Sequence, residues 1–264
     1  MKDILSSEGI KQHLKTPQAW EISVFNSVSS TNLLAKEAAL QGKSEGRVII
    51  AESQTDGRGR LGRKFESPKD SGLYMSILLR PDLSPENAVL ITAAAAVAVS
   101  DAVESLSGKP TKIKWVNDVI ANGKKICGIL TEGGINPENG KFSWAVLGIG
   151  VNVYEPQNGF RPEIKDIAGA AFSKEKSGLK NRLAAEILNI FEQLYNNLSS
   201  RSFFEGYRKR MLTIGKQVSV IRNDNKRKAL CLDLDYDCRL LVEYDDGTSE
   251  YISSGEVSVR PDSI

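Results

Sequence analysis

The chain has 264 residues, of which 41% are hydrophobic and 26% charged, enough for one generous core or a large domain with a small appendage. Lys and Arg total 35 against 33 Asp and Glu, so the formal net charge of +2 carries no global signal for a polyanion and any basic function must be local. Three cysteines, Cys127, Cys231 and Cys238, form no CxxC pair; they argue against a disulfide framework or a zinc site and fit a reducing cytoplasm.

The opening MKDILSSEGIKQHLK has scattered charges and no apolar core of a secretory signal, and residues 3–14 read as a short amphipathic stretch. Residues 20–25 (WEISVF) read as a strand. VSSTN then looks like a helix entry in which Ser29, Ser30 or Thr31 caps a helix over 33–41. Residues 46–52 (GRVIIAE) and 72–80 (GLYMSILLR) are strands of buried type. The segment between them, SQTDGRGRLGRKFESP, puts three glycines and three arginines into positions 57–63, at a sheet's end where functional loops sit. Residues 84–106 form the longest helix, with Ser84 as cap, Pro85 at its first position and Gly108 beyond its end. Its apolar run, 88–99, is shorter than the ~18 residues of a membrane span, so it reads as a buried helix and no membrane association is expected.

In residues 111–134 (TKIKWVNDVIANGKKICGILTEGG) two apolar runs flank Asn122-Gly123, a tight-hairpin signal, and 142–153 is the adjoining strand. Residues 179–198 repeat Leu179, Leu183, Ile187, Phe191, Leu194 and Leu198 at helical period, and a second helix spans about 201–211. Beyond Gly215 come short alternating strands at 216–221, 227–235, 239–245 and 249–254, with turns at 223–225 and 245–247, the pattern of a small β barrel of roughly fifty residues. The class is α+β: a mixed sheet with helices on one side over residues 1–212, plus a β appendage over 213–264.

The only histidine, His13, lies far from the dense motifs, which leaves Ser-His-Asp or Cys-His chemistry without an obvious base. No HExxH, DxDxDG or GxxxxGK[ST] occurs. Phosphate chemistry without a P-loop needs a glycine-rich turn, fixed cations and carboxylates for Mg²⁺. Three segments offer these parts: Arg58, Arg60 and Arg63, whose planar forks suit phosphate or carboxylate; Lys114-Trp115-Val116-Asn117-Asp118; and Lys124, Lys125 and Glu132. Taken alone, each has an ordinary reading as a nucleic-acid tail, a strand end or a solvated turn. Taken together around one sheet they point to an anion site.

The motifs STN (Ser30, Thr31, Asn32), GRGRLGR (57–63), KWVND (114–118), KKICGILTE (124–132) and GIGVNV (148–153) occur in the order and at about the spacing found in the biotin protein ligases, which the chain resembles from roughly residue 20 to 260. DDGTSEYISSGEVSVR (245–260) is similar to that family's C-terminal SH3-like domain. The resemblance implies a catalytic domain of the class II aminoacyl-tRNA synthetase and biotin ligase type, with an SH3-like barrel appended. It also implies ATP, Mg²⁺ and biotin as reactants, biotinyl-5′-AMP as intermediate, and a biotin carboxyl carrier domain of a biotin-dependent carboxylase as acceptor.

Carried over residue by residue, Ser30, Thr31, Asn32 and Gln54 contact the biotin ring and its neighbours. Arg58, Gly59 and Arg60 fold over the biotin carboxylate and adenylate phosphate, and Gly128 presents backbone to the ligand. Lys125 sits at the carboxylate-phosphate junction and is, with Arg60, the catalytic choice. Lys114 and Arg63 meet the ATP phosphates, Asn117 the adenine side and Asp118 the metal. Asn152 in GIGVNV supports the adenylate end, while Gly148 and Gly150 read equally as packing glycines.

Two departures stand out. Val116 replaces a common proline. Phe65 stands where many members carry a tryptophan packing on adenine, which keeps an aromatic face but loses area and the indole N–H. Family members often dimerise, so a homodimer is an open expectation. About 29 residues precede Ser30, too few for a winged helix-turn-helix, so no operator DNA is expected. Two alternatives stay open: a lipoate or octanoate ligase or transferase of the same fold, and a nucleic-acid-binding module using the RGR tract, against which stand the near-neutral charge and the few aromatics near the arginines.

Overall fold

Seven strands form the first sheet of the computed structural model, which describes residues 2–222, 225–253 and 258–261. They are β1 (Glu21–Phe25), β2 (Arg47–Ala51), β3 (Gly72–Leu79), β4 (Lys112–Lys114), β5 (Asp118–Ala121), β6 (Lys124–Ile135) and β7 (Phe142–Asn152), in the order β1-β2-β3-β7-β6-β5-β4. The β1–β2 pair is parallel and the remaining pairs are antiparallel. The helices are α1 (Ser7–Lys11), α2 (Thr31–Leu40), α3 (Ala88–Ser107), α4 (Leu179–Asn196) and α5 (Phe204–Arg210). A second, antiparallel sheet holds β8 (Gln217–Arg222), β9 (Asn225–Leu234), β10 (Leu240–Tyr244), β11 (Ser249–Ile252) and β12 (Ser258–Pro261), ordered β11-β10-β9-β8-β12. The alternation beyond Gly215 foresaw the first four of these and missed β12. The expected turn at Asn223-Asp224 lies outside the described residues.

Strand parity divides the large sheet into two faces. Leu73, Met75, Ile77 and Leu79 of β3, with Leu147, Ile149 and Val151 of β7, join α3 and α4 in the main core. Their neighbours Leu78, Trp144 and Val146 point the other way, onto Ala35 and Ala39 of α2. Helices therefore cover both faces, which corrects the one-sided arrangement expected from the sequence. The cause is topological: parallel β1 and β2 need a crossover that leaves the sheet plane, and α2 is that crossover.

By length and composition α3 could cross a membrane, the one such helix among the described residues, yet it is buried inside the core. Its alanines let α4 approach closely, and Gly108, at φ 69°, ends it in the left-handed region that costs glycine nothing. Ser84 makes no side-chain cap; it precedes a single turn of 3₁₀ helix, Pro85–Asn87, that leads into α3.

Two polar clamps tie distant segments to the sheet. Glu52, at the root of the glycine-arginine loop, accepts from buried Lys180 Nζ at 2.6 Å and from Leu5 N–H at 3.1 Å, so the N-terminal segment, α4 and the loop share one point. At the opposite end, Trp115 Nε1 donates to the Cys238 carbonyl at 3.0 Å and Tyr207 Oη to the Val116 carbonyl at 2.9 Å. The short β4–β5 turn, whose Trp115–Val116 peptide is cis, is thus held by α5 and the second sheet.

Glu104 near the end of α3 accepts from Arg210 Nη2 at 2.6 Å and from the Thr111 N–H and hydroxyl at 2.8 Å each. Burial works to raise its pKa, but the hydrogen bonds from Arg210 and Thr111 outweigh it and hold the carboxyl at about 2. A depressed folded pKa means stability that is present above the unfolded value and lost as pH falls through the folded one. Urea unfolding between pH 4.5 and pH 2 is therefore expected to show a steeper loss for the native chain than for Glu104→Gln, and parallel curves would contradict this assignment.

Candidate active site

The hollow begins as a loss of side chains along β7. Its α2-facing positions run Trp144, Val146, Gly148, Gly150, so bulk that supports α2 gives way to bare backbone within two residues. Register extends this row by row: Tyr74–Gly150–Gly128, then Ser76–Gly148–Leu130, then Leu78–Val146–Glu132 across β3, β7 and β6. The glycines make a floor, the N-terminus of α2 one wall, and the β4–β5 turn another.

The glycine-arginine segment roofs this floor. Gly59 N–H donates to the Arg63 carbonyl at 2.7 Å and Phe65 N–H to Gly57 at 2.9 Å, which closes a small hairpin whose tip carries Leu61 and Gly62 at φ 55° and 70°. Phe65 lies on the glycines: a Cβ at Gly150 would stand 2.6 Å from its Cε1, and one at Gly128 3.1 Å from Cε2. Its ring meets Tyr74 edge-on at 6.4 Å, with Lys125 Nζ 6.0 Å from its centroid.

Arg58, Arg60, Arg63, Lys64, Lys114 and Lys125 line the hollow, and Asp118 is the one carboxylate among its described lining residues. Lys125 Nζ sits 2.6 Å from Asp118 Oδ1. Arg60 donates to Asn117 Oδ1 at 3.2 Å, and Asn117 in turn donates from Nδ2 to the Ile129 carbonyl at 2.8 Å. Burial pulls the Arg60 pKa down and Asp118 works against it; a guanidinium stays charged regardless. Arg58 reaches toward Glu132, with Nη1 3.9 Å from Oε1.

The far end is a polar network that runs out to the Glu132 carboxylate. Thr31 N–H donates to Gln54 Oε1 at 2.8 Å, with the Thr31 hydroxyl 3.1 Å from the same oxygen, and Gln54 Nε2 donates to Ser67 Oγ at 2.9 Å. Ser76 Oγ stands 2.7 Å from Thr31 Oγ1 and 2.6 Å from Asn32 Oδ1, and Asn32 Nδ2 donates to Glu132 Oε2 at 2.8 Å. Ser30 occupies the cap position of α2 as expected, but its side chain accepts no cap hydrogen bond and faces the hollow.

All the expected site residues converge here except Asn152. Ser30, Thr31, Asn32, Gln54, Gly59, Phe65, Asn117 and Gly128 line the hollow with the six cations and Asp118. Asn152 instead donates to the Gly169 carbonyl at 3.1 Å, one strand position past the glycine floor, and holds the segment after β7. Sequence reasoning missed Tyr74 and Ser76; the signal was their parity with Leu78 on a strand read only as buried. Glu132, noted only as a carboxylate along the return strand, proves to reach both Asn32 and Arg58.

The arrangement can bind anions beside a polar-walled cavity, and it holds no equipped nucleophile. Cys127 is buried on the other face, where desolvation pushes its thiol far up. Asp118 is a lone carboxylate, with no group of three His, Cys, Asp or Glu suited to a metal among the described residues. Such a site fits a cation that keeps phosphate and water ligands, as Mg²⁺ does, and not one caged by protein.

Comparison with known proteins places this geometry in a family. Residues 24–152 match the model of the Biotin/lipoate A/B protein ligase family, and residues 213–260 match the Biotin protein ligase C terminal domain. The chain is 34% identical over 260 residues to the bifunctional ligase/repressor BirA of Bacillus subtilis, covering 95% of this chain and 78% of that protein. It is 31% identical over 246 residues to the biotin–[acetyl-CoA-carboxylase] ligase of Mycobacterium tuberculosis, covering 90% and 88%. Among solved structures, biotin protein ligase from Aquifex aeolicus in complex with biotin and ATP superposes with a TM-score of 0.74 at 27% identity, covering 91% of this chain and 99% of that one.

The floor makes a stability prediction that needs no ligand. A Cβ at Gly148 would fall 2.1 Å from Asn32 Oδ1, inside a buried network, whereas at Gly150 it meets the ring of Phe65, 2.6 Å from Cε1. Gly148→Ala should cost about 1–3 kcal/mol in denaturant unfolding, as broken buried hydrogen bonds do, and more than Gly150→Ala. A larger loss at Gly150 would contradict the description of the floor.

Proposed function

The chain belongs to the biotin protein ligases, and from that premise we propose how its hollow carries out their reaction. It is an ATP-dependent ligase that activates biotin as biotinyl-5′-AMP and transfers the biotinyl group to a lysine of a biotin carboxyl carrier protein. In the first step a biotin carboxylate oxygen bonds to the α-phosphorus of ATP and the α–β phosphoanhydride breaks, releasing diphosphate. In the second the carrier's ε-amine attacks the acyl carbon and AMP departs.

The observation that carries this reading is the charge imbalance: six cations face a single carboxylate in one hollow. Two anions have to meet before the first bond forms, so fixed cations supply most of the acceleration. In this reading Lys125 lies at the carboxylate-phosphate junction, and its partner Asp118 keeps it oriented until substrate takes over. Arg60, held by Asn117, and Arg58 close with Gly59 over the carboxylate and α-phosphate. Lys114 and Arg63 meet the outer phosphates. Asp118 is the one protein carboxylate available to a Mg²⁺ ion, which when bound supplies charge neutralisation on the phosphates. Ser30, Thr31, Asn32 and Gln54 take the ring end, and Gly128, beside Lys125, presents backbone to the ligand. No covalent enzyme intermediate is needed, in keeping with the buried Cys127.

Phe65 carries the aromatic role of the lid. Its contact with Gly128 and Gly150 supports a reading in which the ring leaves the floor when ligand enters and then covers the adenine. We divide the chain at 212/213, with an SH3-like appendage that steadies the Lys114–Asp118 turn through Trp115 and Cys238. Three buried free cysteines support a cytoplasmic setting.

Incubation with ATP, Mg²⁺ and labelled biotin, with and without a biotin carrier domain, should label the carrier; label accepted from lipoate in place of biotin would overturn the substrate. Arg60→Ala should lower turnover by about 10²- to 10³-fold, the usual effect of removing one fixed transition-state donor, and Lys125→Ala should abolish adenylate formation with the fold intact. For Phe65→Ala we expect a raised ATP KM and faster adenylate loss, and unchanged values would remove the ring from the lid's function.

A further inference from the structure

We infer that Ser76 and Glu132, two residues outside the lining of the hollow, are positioning residues that lock the Asn32 carboxamide in one orientation and thereby set selectivity for a cyclic urea over an apolar acyl tail. The inference rests on the biotin reading above.

The chemistry of the partners decides how Asn32 lies. A carboxylate can only accept, so Glu132 Oε2 at 2.8 Å must face the Nδ2 end. The carbonyl end then falls 2.6 Å from Ser76 Oγ and takes its single proton, which leaves the Thr31 hydroxyl, 2.7 Å away, as the donor to Ser76. Two supports on two different strands, β6 and β3, fix one side chain of α2, and the intervening strand β7 makes room by carrying Gly148. A Cβ there would lie 2.1 Å from Asn32 Oδ1, so the carbonyl end is aimed at the glycine floor. Ser76 is fully buried and Asn32 is 6% exposed, so neither group gains from water what these bonds supply.

A helix-packing role alone would not need this set. Leu78 and Val146, one row along, support Ala35 and Ala39 by plain apolar contact. At the Ser76 row the sheet gives up that packing to present a fixed acceptor. A cyclic urea brings N–H donors to such an acceptor, whereas a lipoyl or octanoyl tail brings none. A site built to pair a polar group discriminates strongly against the analogue lacking it, because its own buried atoms then go unmatched. Glu132 also lies near Arg58, and that contact offers a rival role in which its charge restrains the lid.

The experiment measures adenylation kinetics and thermal unfolding of the full chain and of Ser76→Ala, Glu132→Leu and Glu132→Gln. Ser76→Ala and Glu132→Leu should raise biotin KM by about 10-fold, the effect of one lost buried hydrogen bond, with ATP KM within about 2-fold of the native value. Both should narrow the kcat/KM preference for biotin over lipoate. Glu132→Gln, whose amide oxygen still accepts from Asn32, should behave like the native chain. Biotin and ATP KM rising together, or neither moving, would overturn the assignment. So would a Gln variant as impaired as Leu, since charge toward Arg58 would then be what Glu132 supplies. The Glu132 pair keeps the test open if Ser76→Ala fails to fold, because the Glu132 side chain is 32% exposed. A native chain that forms no biotin adenylate would instead overturn the functional reading on which this one stands.

Discussion

Like charges repel, and six cations gathered around one carboxylate is the constraint that the rest of this structure answers. Each of the groups closest to the floor is held by a neighbour on the β4–β5 turn. Lys125 is paired with Asp118, Arg60 hangs on Asn117, and Asn117 is bound through both its side chain and its carbonyl to Ile129 on β6. The turn that carries Lys114, Asn117 and Asp118 is braced by Tyr207 and by the indole link to Cys238. Without those braces the cations would spread into solvent, and the preorganisation that makes a fixed charge valuable to a transition state would be lost.

The loop has the opposite requirement. Its root at Glu52 is clamped by Lys180 and the N-terminal segment, while its tip uses two left-handed residues to turn tightly. The loop is thus anchored at its root and turns back over the floor at its tip. The buried Glu52–Lys180 pair is better understood as fixing geometry than as adding net stability, since desolvating two charges offsets most of their attraction.

Charge and polarity are divided along the hollow. Lys125, Arg60 and Asp118 gather at one end, where in the proposed reaction the anions meet, and the mutually bonded Thr31, Asn32, Gln54 and Ser76 at the other. In the proposed reaction the two ends meet different parts of the substrates, so changes at the first should act on turnover and those at the second on recognition. The glycine floor connects them, with the Phe65 ring seated on it.

The sequence by itself determined the parts. Local pattern located the helices and most strands to within a few residues, though it read β4 and β5 as one run and missed β12; Asn122-Gly123 fixed the β5–β6 hairpin, and five spaced motifs identified most of the residues that line the hollow. These features are local, so chain order suffices to reveal them. It could not show that α2 covers the second face, since a crossover's side depends on the whole sheet. Nor could it show that Asn152 falls past the floor while Tyr74 and Ser76 lie beside it. That is a matter of register between strands far apart in the chain, and one position of slip would exchange one face for the other. Tertiary structure alone decided that Glu132 and Ser76, 56 positions apart by number, meet on a single asparagine of a third element.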